Sequence, residues 1–256
     1  MMHRSAAKTL VALATALTAS SAALAQTAAP AAEPAATSPL TANISLTTNY
    51  KFRGQDQDQI GNNGLYKKRG IKPAIQGGFD YAHESGFYVG NWNSSVDWLS
   101  GNSIESDIYG GYKFKAGSVD LDVGALTYIY PGNSNGNTTE VYGAATFGPV
   151  TAKYSHTLSK DYFAYAGPGL KGRNTGYLNL AFAQEVAPKI TLKAAVGYTR
   201  FAGDITAPNY IDYSVGGAYD FGSGLSLGAA VVGANKKDFF GPVNKSRVIV
   251  SLTKTL

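Results

Sequence analysis

The segment Tyr154-Ser155-His156-Thr157-Leu158-Ser159 carries the residue types of nucleophilic hydrolysis, a hydroxyl and an imidazole that could activate it. Spacing decides whether the two can meet. A histidine and a serine two apart on a strand share a face. Here His156 is one residue from Ser155 and three from Ser159, which turns both hydroxyls to the opposite face of a continuous strand. A hydrolase using His156 with a loop serine therefore requires the strand to break before Ser159. The simpler reading is an interfacial histidine, because His156 shares parity with Val150, Ala152 and Tyr154 on the apolar side.

Other candidates are weaker. Gly167-Pro168-Gly169-Leu170-Lys171-Gly172 matches a dinucleotide-binding fingerprint by letter, but it has no strand–turn–helix setting and Pro168 interrupts it. Asp56 and Asp58 could ligate a hard cation, yet they lack the ligand series and central glycine of a calcium loop. Past the leader the histidines are His83 and His156, too few for a multi-histidine metal site, and the chain has no cysteine for thiolate chemistry or disulfides. Three N-x-S/T triplets, beginning at Asn43, Asn93 and Asn137, mean little in a bacterial exported protein. No cofactor and no metal is expected, and no catalytic residue is assigned.

The charged residues are more informative once the elements that position them are laid out. From residue 42 onward the chain alternates with period two. Ile44, Leu46, Thr48, Tyr50 and Phe52 fall on one parity; Asn43, Ser45, Thr47, Asn49, Lys51 and Arg53 fall on the other. The pattern predicts about twelve strands, near 43–53, 74–83, 87–97, 104–114, 119–130, 139–147, 150–158, 176–185, 189–199, 210–221, 225–234 and 245–256. Short connections such as Glu84-Ser85-Gly86, Gly148-Pro149 and Gly222-Ser223-Gly224 alternate with longer ones. Short periplasmic turns and long outer loops are the asymmetry of an outer-membrane barrel. Apolar-face aromatics gather at both strand ends: Tyr81, Tyr88, Phe114, Phe147, Tyr219 and Phe221 toward the short turns, and Tyr50, Phe52, Tyr154 and Tyr198 toward the long loops. Two aromatic girdles around an aliphatic band suit two water–lipid interfaces. The expected fold is all-β, a closed antiparallel transmembrane β-barrel of about twelve strands with lipid outside.

Ends and composition agree. Residues 1–25 read as a secretory signal peptide, with Arg4 and Lys8, an apolar core and an Ala23-Leu24-Ala25 cleavage site. Residues 26–41 form an Ala/Pro-rich periplasmic tether, and 42–256 the barrel. Loss of Arg4 and Lys8 lowers the formal charge from +5 to +3, and the basic residues are dispersed, which argues against nucleic acid. Glycine at 30 and tyrosine at 17 residues, with only 15% charged, suit a curved sheet between interfaces.

The pieces running from Asn43 to Gly54, Pro73 to Tyr81, and Ser85 to Trp92, with the Tyr128-Ile129-Tyr130-Pro131-Gly132 corner, resemble the TorF family of outer-membrane porins. The resemblance spans essentially the whole mature chain and is sharpest before residue 132. It implies a proteobacterial outer-membrane protein with channel function. The chain departs from the usual outer-membrane pattern at its end, Leu252-Thr253-Lys254-Thr255-Leu256, where a terminal aromatic is expected and Lys254 takes an apolar position.

On this fold the opposite parity faces a lumen. Lys51, Arg53, Glu105, Asp107, Lys113, Asp120, Asp122, Glu140, Lys153, Lys193, Asp212 and Arg247 become pore-lining candidates, with Lys51 and Arg53 near the outer mouth. In a water-filled pore they stay hydrated and tune selectivity; in a plugged barrel they pair across the lumen. The pore is favoured. Twelve strands give a backbone diameter of roughly 24 Å and a lumen of about 10–12 Å. The expected function is passive diffusion of ions and small polar solutes, with weak cation preference from Glu105, Asp107, Asp120, Asp122 and Asp212. Expected partners are outer-membrane lipid, the outer-membrane assembly machinery and the solutes themselves. The alternatives are the His156 hydrolase and a non-conducting surface barrel that binds a partner through its long loops.

Overall fold

The alternating strands form a sheet rolled until its two edges meet. The computed structural model describes residues 38–58 and 71–256. The expected signal peptide, most of the expected tether, and the loop residues Lys67, Lys68 and Arg69 lie outside the described residues. The strands are β1 (Leu40–Thr47), a short inward hairpin of β2 (Lys51–Phe52) and β3 (Gln55–Asp56), β4 (Ala74–Ala82), β5 (Phe87–Ser95), β6 (Ile104–Ala116) and β7 (Val119–Ile129). They continue with β8 (Thr138–Phe147), β9 (Val150–Thr157), β10 (Gly176–Ala187), β11 (Ile190–Arg200), β12 (Tyr210–Gly222), β13 (Leu225–Ala234) and β14 (Arg247–Thr255). Leaving out β2 and β3, these form one closed antiparallel barrel of twelve strands, each paired with its sequence neighbours. β1 closes it: Leu46 lies opposite Ile75 of β4 on one side and Leu252 of β14 on the other. One short helical turn, α1 (Lys237–Phe240), interrupts the β13–β14 loop.

The faces separate as the alternation predicts. Ile44, Leu46, Ile75, Val123, Val196, Val215 and Val248 stand exposed on the outer wall, while Ser45, Thr47, Gln76 and Thr253 are buried inside. A belt of aliphatic side chains this continuous is stable only against lipid. The tight turns follow from local chemistry. Ala116 pairs with Val119 and Phe147 with Val150, and Gly117 and Gly148 take the left-handed conformation that two-residue hairpins require. Lys254 occupies the outward parity of Val248, Val250 and Leu252, and its ammonium bends to donate to the Ser223 carbonyl at the short-turn rim. A long side chain there covers apolar surface and still reaches polar groups.

Three expectations need correction. The first strand was expected to run to Arg53, but it ends at Thr47. Tyr50 and Phe52 therefore belong to the barrel interior, buried to 3% and 6% exposure, and not to the outer aromatic girdle. Alternation continued past the strand end because the β2–β3 hairpin is itself extended. Tyr88 also turns inward, where its hydroxyl donates to Asp122 at 2.7 Å and bonds the Tyr142 hydroxyl. In β5 the outward parity is that of Phe87 and Val89.

The outward face carries a direct test. Val215, 58% exposed near the middle of β12, should lie close to the bilayer midplane, while Phe147 sits at a short turn. Val215→Arg should cost about 2–4 kcal/mol of stability in lipid vesicles, and Phe147→Arg about 0–1 kcal/mol. Equilibrium unfolding of the two variants should show that ordering; equal costs would place the membrane elsewhere.

Candidate functional site

The site is the lumen together with the hairpin that enters it. After Thr47 the backbone leaves the wall, and Phe52 pairs with Gln55 and Lys51 with Asp56 across a two-residue turn, Arg53-Gly54. Both turn residues have positive φ, +46° at Arg53 and +76° at Gly54. Glycine adopts this freely, whereas arginine there costs about 1–2 kcal/mol. A Cβ on Gly54 would lie 2.6 Å from both the Asp212 Cβ and the Gly233 carbonyl oxygen, so the turn is pressed against β12 and β13.

Side chains fasten the hairpin around the wall. Arg53 donates two hydrogen bonds to Glu140 of β8, at 2.6 and 3.0 Å, and a third to the Tyr162 hydroxyl at 2.8 Å. Its guanidinium stacks 4.2 Å over the Tyr177 ring of β10. Lys51 reaches Asp56 at 3.1 Å and donates to the Val243 carbonyl at 2.7 Å, and Arg247 of β14 holds the same Asp56 at 2.9 Å. The Tyr50 hydroxyl donates to Glu105 of β6 at 3.2 Å, and its ring meets Trp92 of β5 edge-on. Phe52 packs against Tyr128 of β7 and Phe163. From above, Gln55 accepts from the Tyr165 hydroxyl and donates to Asn244 at 2.9 Å.

The result divides the lumen in two. In the long-loop half the inward residues have almost no contact with solvent: Glu105, Asp107, Tyr128, Glu140, Thr157, Tyr177, Thr199 and Ala234 are all at 2% exposure or less. In the short-turn half the inward wall of β10–β13 is built of small, partly exposed residues, among them Ala181, Ala195, Ser214, Gly216 and Gly228. On the neighbouring strands Lys153 lies 3.8 Å from the Tyr142 ring centroid and Lys113 lies 4.7 Å from that of Tyr88, with Asp122 between.

The pore-lining candidates thus fall into four groups. Lys51 and Arg53 belong to the inward hairpin. Glu105, Asp107, Glu140, Asp212 and Arg247 stand in the packed outer half. Lys113, Asp122, Lys153 and Lys193 stand on the inward parity further toward the short turns. Asp120 sits at the rim, exposed, bridging Lys115 across the β6–β7 turn at 2.6 Å. Residues with no charge make the closure: Tyr50 and Phe52, expected in the outer girdle, and Gly54, Tyr162 and Phe163, to which the sequence pattern assigns no role. The signal that could have found them is Gly54 directly after a β-run, as in a two-residue hairpin.

The hydrolase constellation does not form. Ser155 is buried inside, His156 sits on the outer face bonded to the Tyr154 hydroxyl at 3.3 Å, and Ser159 accepts from the Thr139 N–H at 2.9 Å. Asp56, held by Lys51 and Arg247, has its charge already matched. Asp58 follows β3 by two residues, with Lys72 and Asp97 ion-paired nearby. Burial lifts the Asp58 carboxyl to about 7, with Lys72 opposing and Asp56 and Asp97 adding to the rise.

These features define a porin-like barrel, a closed antiparallel cylinder with apolar residues outside and charged residues within. A model of a bacterial protein family of unknown function, Gcw_chp, matches residues 31–256, and the chain belongs to that family. A comparison with curated protein sequences finds no match. Among solved structures, the KdgM porin superposes with a TM-score of 0.56 at 10% identity, covering 84% of this chain and 98% of that one. The NanC porin gives 0.54 at 10% identity with the same coverage. A KdgM porin in complex with disordered oligogalacturonate gives 0.54 at 11% identity, again covering 84% of this chain and 98% of that one. The likeness is one of fold, a twelve-strand barrel of porin kind.

Two outcomes follow from the hairpin's chemistry. With Trp98→Phe as background, Trp92 beneath Tyr50 becomes the sole tryptophan of a chain that has two. Removing one partner of a buried ion pair costs about 3–5 kcal/mol, because the other charge is left stranded. Glu140→Ala should therefore loosen the hairpin and raise acrylamide quenching of Trp92, while Arg53→Met with Glu140→Leu should quench less than Glu140→Ala alone. The second outcome is a pH dependence. A carboxyl raised in the folded state favours its protonated form, so the seated hairpin is most stable below the ordinary value of 3.8 and weakens as pH rises through about 7. Trp92 quenching should be greater at pH 8 than at pH 5, and Asp58→Asn should remove the difference; a difference that persists in Asp58→Asn would assign it to another group.

Proposed function

We propose that the protein is an outer-membrane porin-like channel for passive diffusion of ions and small polar solutes, with its outer half closed by the β2–β3 hairpin. The observation that carries this reading is the composition of the inner wall. A barrel meant to be solid fills its interior with its own wall side chains. Here the short-turn half of β10 to β13 presents mainly small residues inward, with Lys193 among them, and the outer half is filled by the hairpin together with wall aromatics such as Trp92 and Tyr128. A hairpin that is separate from the wall can leave without dismantling the barrel. The signal peptide and the lipid-type outer face support export and residence in the outer membrane, inserted by its assembly machinery. The resemblance to TorF porins and the KdgM and NanC folds agree with a channel, and the His156 constellation does not compete with it. The conducted solute follows from none of these. With the hairpin seated, Glu105 and Asp107 have no solvent contact, so their influence on ion preference requires the hairpin to move.

A second reading has its own observation. Pairing of Arg53 with Glu140 and of Lys51 and Arg247 with Asp56 inside a packed lumen suits a non-conducting barrel that presents its outer loops to a partner. Planar-bilayer recording separates the two. The channel reading expects small, infrequent openings from the native protein. It expects larger or longer ones from Gly54→Val, whose added side chain cannot fit against Asp212 and Gly233. Silence from both proteins, each shown to be folded by a heat-dependent gel shift, would overturn the channel and leave the partner-binding barrel.

A further inference from the structure

We propose that the outer face of the hairpin carries a binding site for an uncharged, hydroxyl-rich ring compound, a neutral mono- or disaccharide. A cavity of about 360 Å³ opens above the hairpin, within the usual range for small-molecule sites. The hairpin and the residue after it form its floor, through Phe52, Gln55, Asp56 and Gln57, and the outer loops and the start of β12 form its walls, through Trp98, Tyr162 to Tyr165, Val243 and Tyr210.

The lining has two kinds of group. Trp98, Tyr162, Phe163, Tyr165 and Tyr210 supply rings, and these rings are already fixed by packing. Trp98 is edge-on to Tyr130 at 5.1 Å, Tyr162 to Phe163 at 4.8 Å, and Tyr165 packs on Phe201 at 4.8 Å. Fixed aromatic faces bind a ring-shaped ligand at little entropic cost. Gln55 and Gln57 supply side-chain amides, each with two N–H groups. One N–H of Gln55 goes to Asn244 and one of Gln57 to the Gln55 carbonyl at 3.3 Å, which leaves each amide a second donor. The indole N–H of Trp98 is buried without an acceptor among the described residues, a donor that a ligand hydroxyl would satisfy. Rings for the C–H faces of a sugar and amides for its hydroxyls are complementary to such a compound.

Charge narrows the class. Asp56 is the one ionised group in the lining, and the two cations that hold it, Lys51 and Arg247, do not line the cavity. An anionic ligand would meet a carboxylate whose two described cations are already engaged with it behind the lining. A cationic ligand would approach a carboxylate already shared by two positive groups. An uncharged ligand meets neither obstacle. The site does not depend on whether the lumen conducts.

Trp98 reports on the site directly. In a Trp92→Phe background, refolded in an amine-oxide detergent so that no sugar headgroup competes, Trp98 emission should change saturably on titration with maltose or cellobiose. Tyr165→Ala and Gln57→Ala should each weaken the half-saturating concentration at least tenfold, while Tyr165→Phe, which keeps the ring, should stay within threefold. Digalacturonate and choline serve as the anionic and cationic probes. No saturable change with either neutral disaccharide, on protein whose gel shift shows the folded barrel, would overturn the proposal. Saturation by digalacturonate or choline at lower concentration than by the neutral sugars would overturn it as well.

Discussion

The guanidinium of Arg53 is buried inside the barrel, and everything about the outer lumen follows from having to accommodate it. A charge removed from water needs a counter-charge, donors matched to acceptors, and a polarisable surface for what remains. Glu140 gives the first through a two-pronged contact, Tyr162 accepts a further bond, and Tyr177 offers its ring face. Those three partners come from β8, the β9–β10 loop and β10. A single side chain thereby fixes the hairpin relative to one whole side of the cylinder. The left-handed turn at Arg53 is unfavourable in isolation and is held by these contacts.

A membrane barrel ordinarily has one apolar surface, turned to lipid. This one has a second, hidden inside. Tyr50, Phe52, Trp92, Tyr128, Tyr130, Tyr162, Phe163, Phe201 and Tyr210 form a continuous aromatic cluster in the outer half, as in the core of a water-soluble domain. Inward aromatics share the space with ion pairs because tyrosine offers a ring to its neighbours and a hydroxyl to the charges; Tyr50 and Glu105 are one instance. The cluster stabilises the barrel independently of the bilayer, and it does so by excluding water from the volume through which a solute would pass.

The fold was largely legible in the sequence, because parity is a local property that each strand repeats. Strand number, hairpin positions and the inward side of β6 through β14 could be taken directly from alternation. Two things could not. The exit of the chain from the wall after Thr47 leaves the alternation intact, since an extended hairpin inside the lumen has the same period as an extended strand in the wall. Tyr88 was misjudged for a related reason: Phe87 and Tyr88 are adjacent aromatics at a strand start, and choosing which faces lipid needs the pairing with Tyr112 and Gly111 of β6. The charged residues of the lumen could be chosen by parity, but not their pairing. Arg53 and Glu140 are separated by 87 positions, and their contact depends on a hairpin whose inward course no local pattern records.

The division of the lumen also bears on where selectivity can reside. Charges sealed in the outer half act on a passing ion only if the packing around them opens, and opening exposes Arg53 and Glu140 together. A seated hairpin therefore hides both signs, while a displaced one presents a carboxylate on the wall and a guanidinium on a mobile loop. The short-turn half is built differently. Lys113 and Lys153 lie against the rings of Tyr88 and Tyr142 with Asp122 beside them, on the inward parity of β6 and β9. With the hairpin seated, ring faces hold both ammonium groups, and the charges of Arg53 and Glu140 act on Lys153 as well. On the channel reading proposed above, the outer half would govern whether a path exists, and the charges nearer the short turns would govern what an ion meets along it.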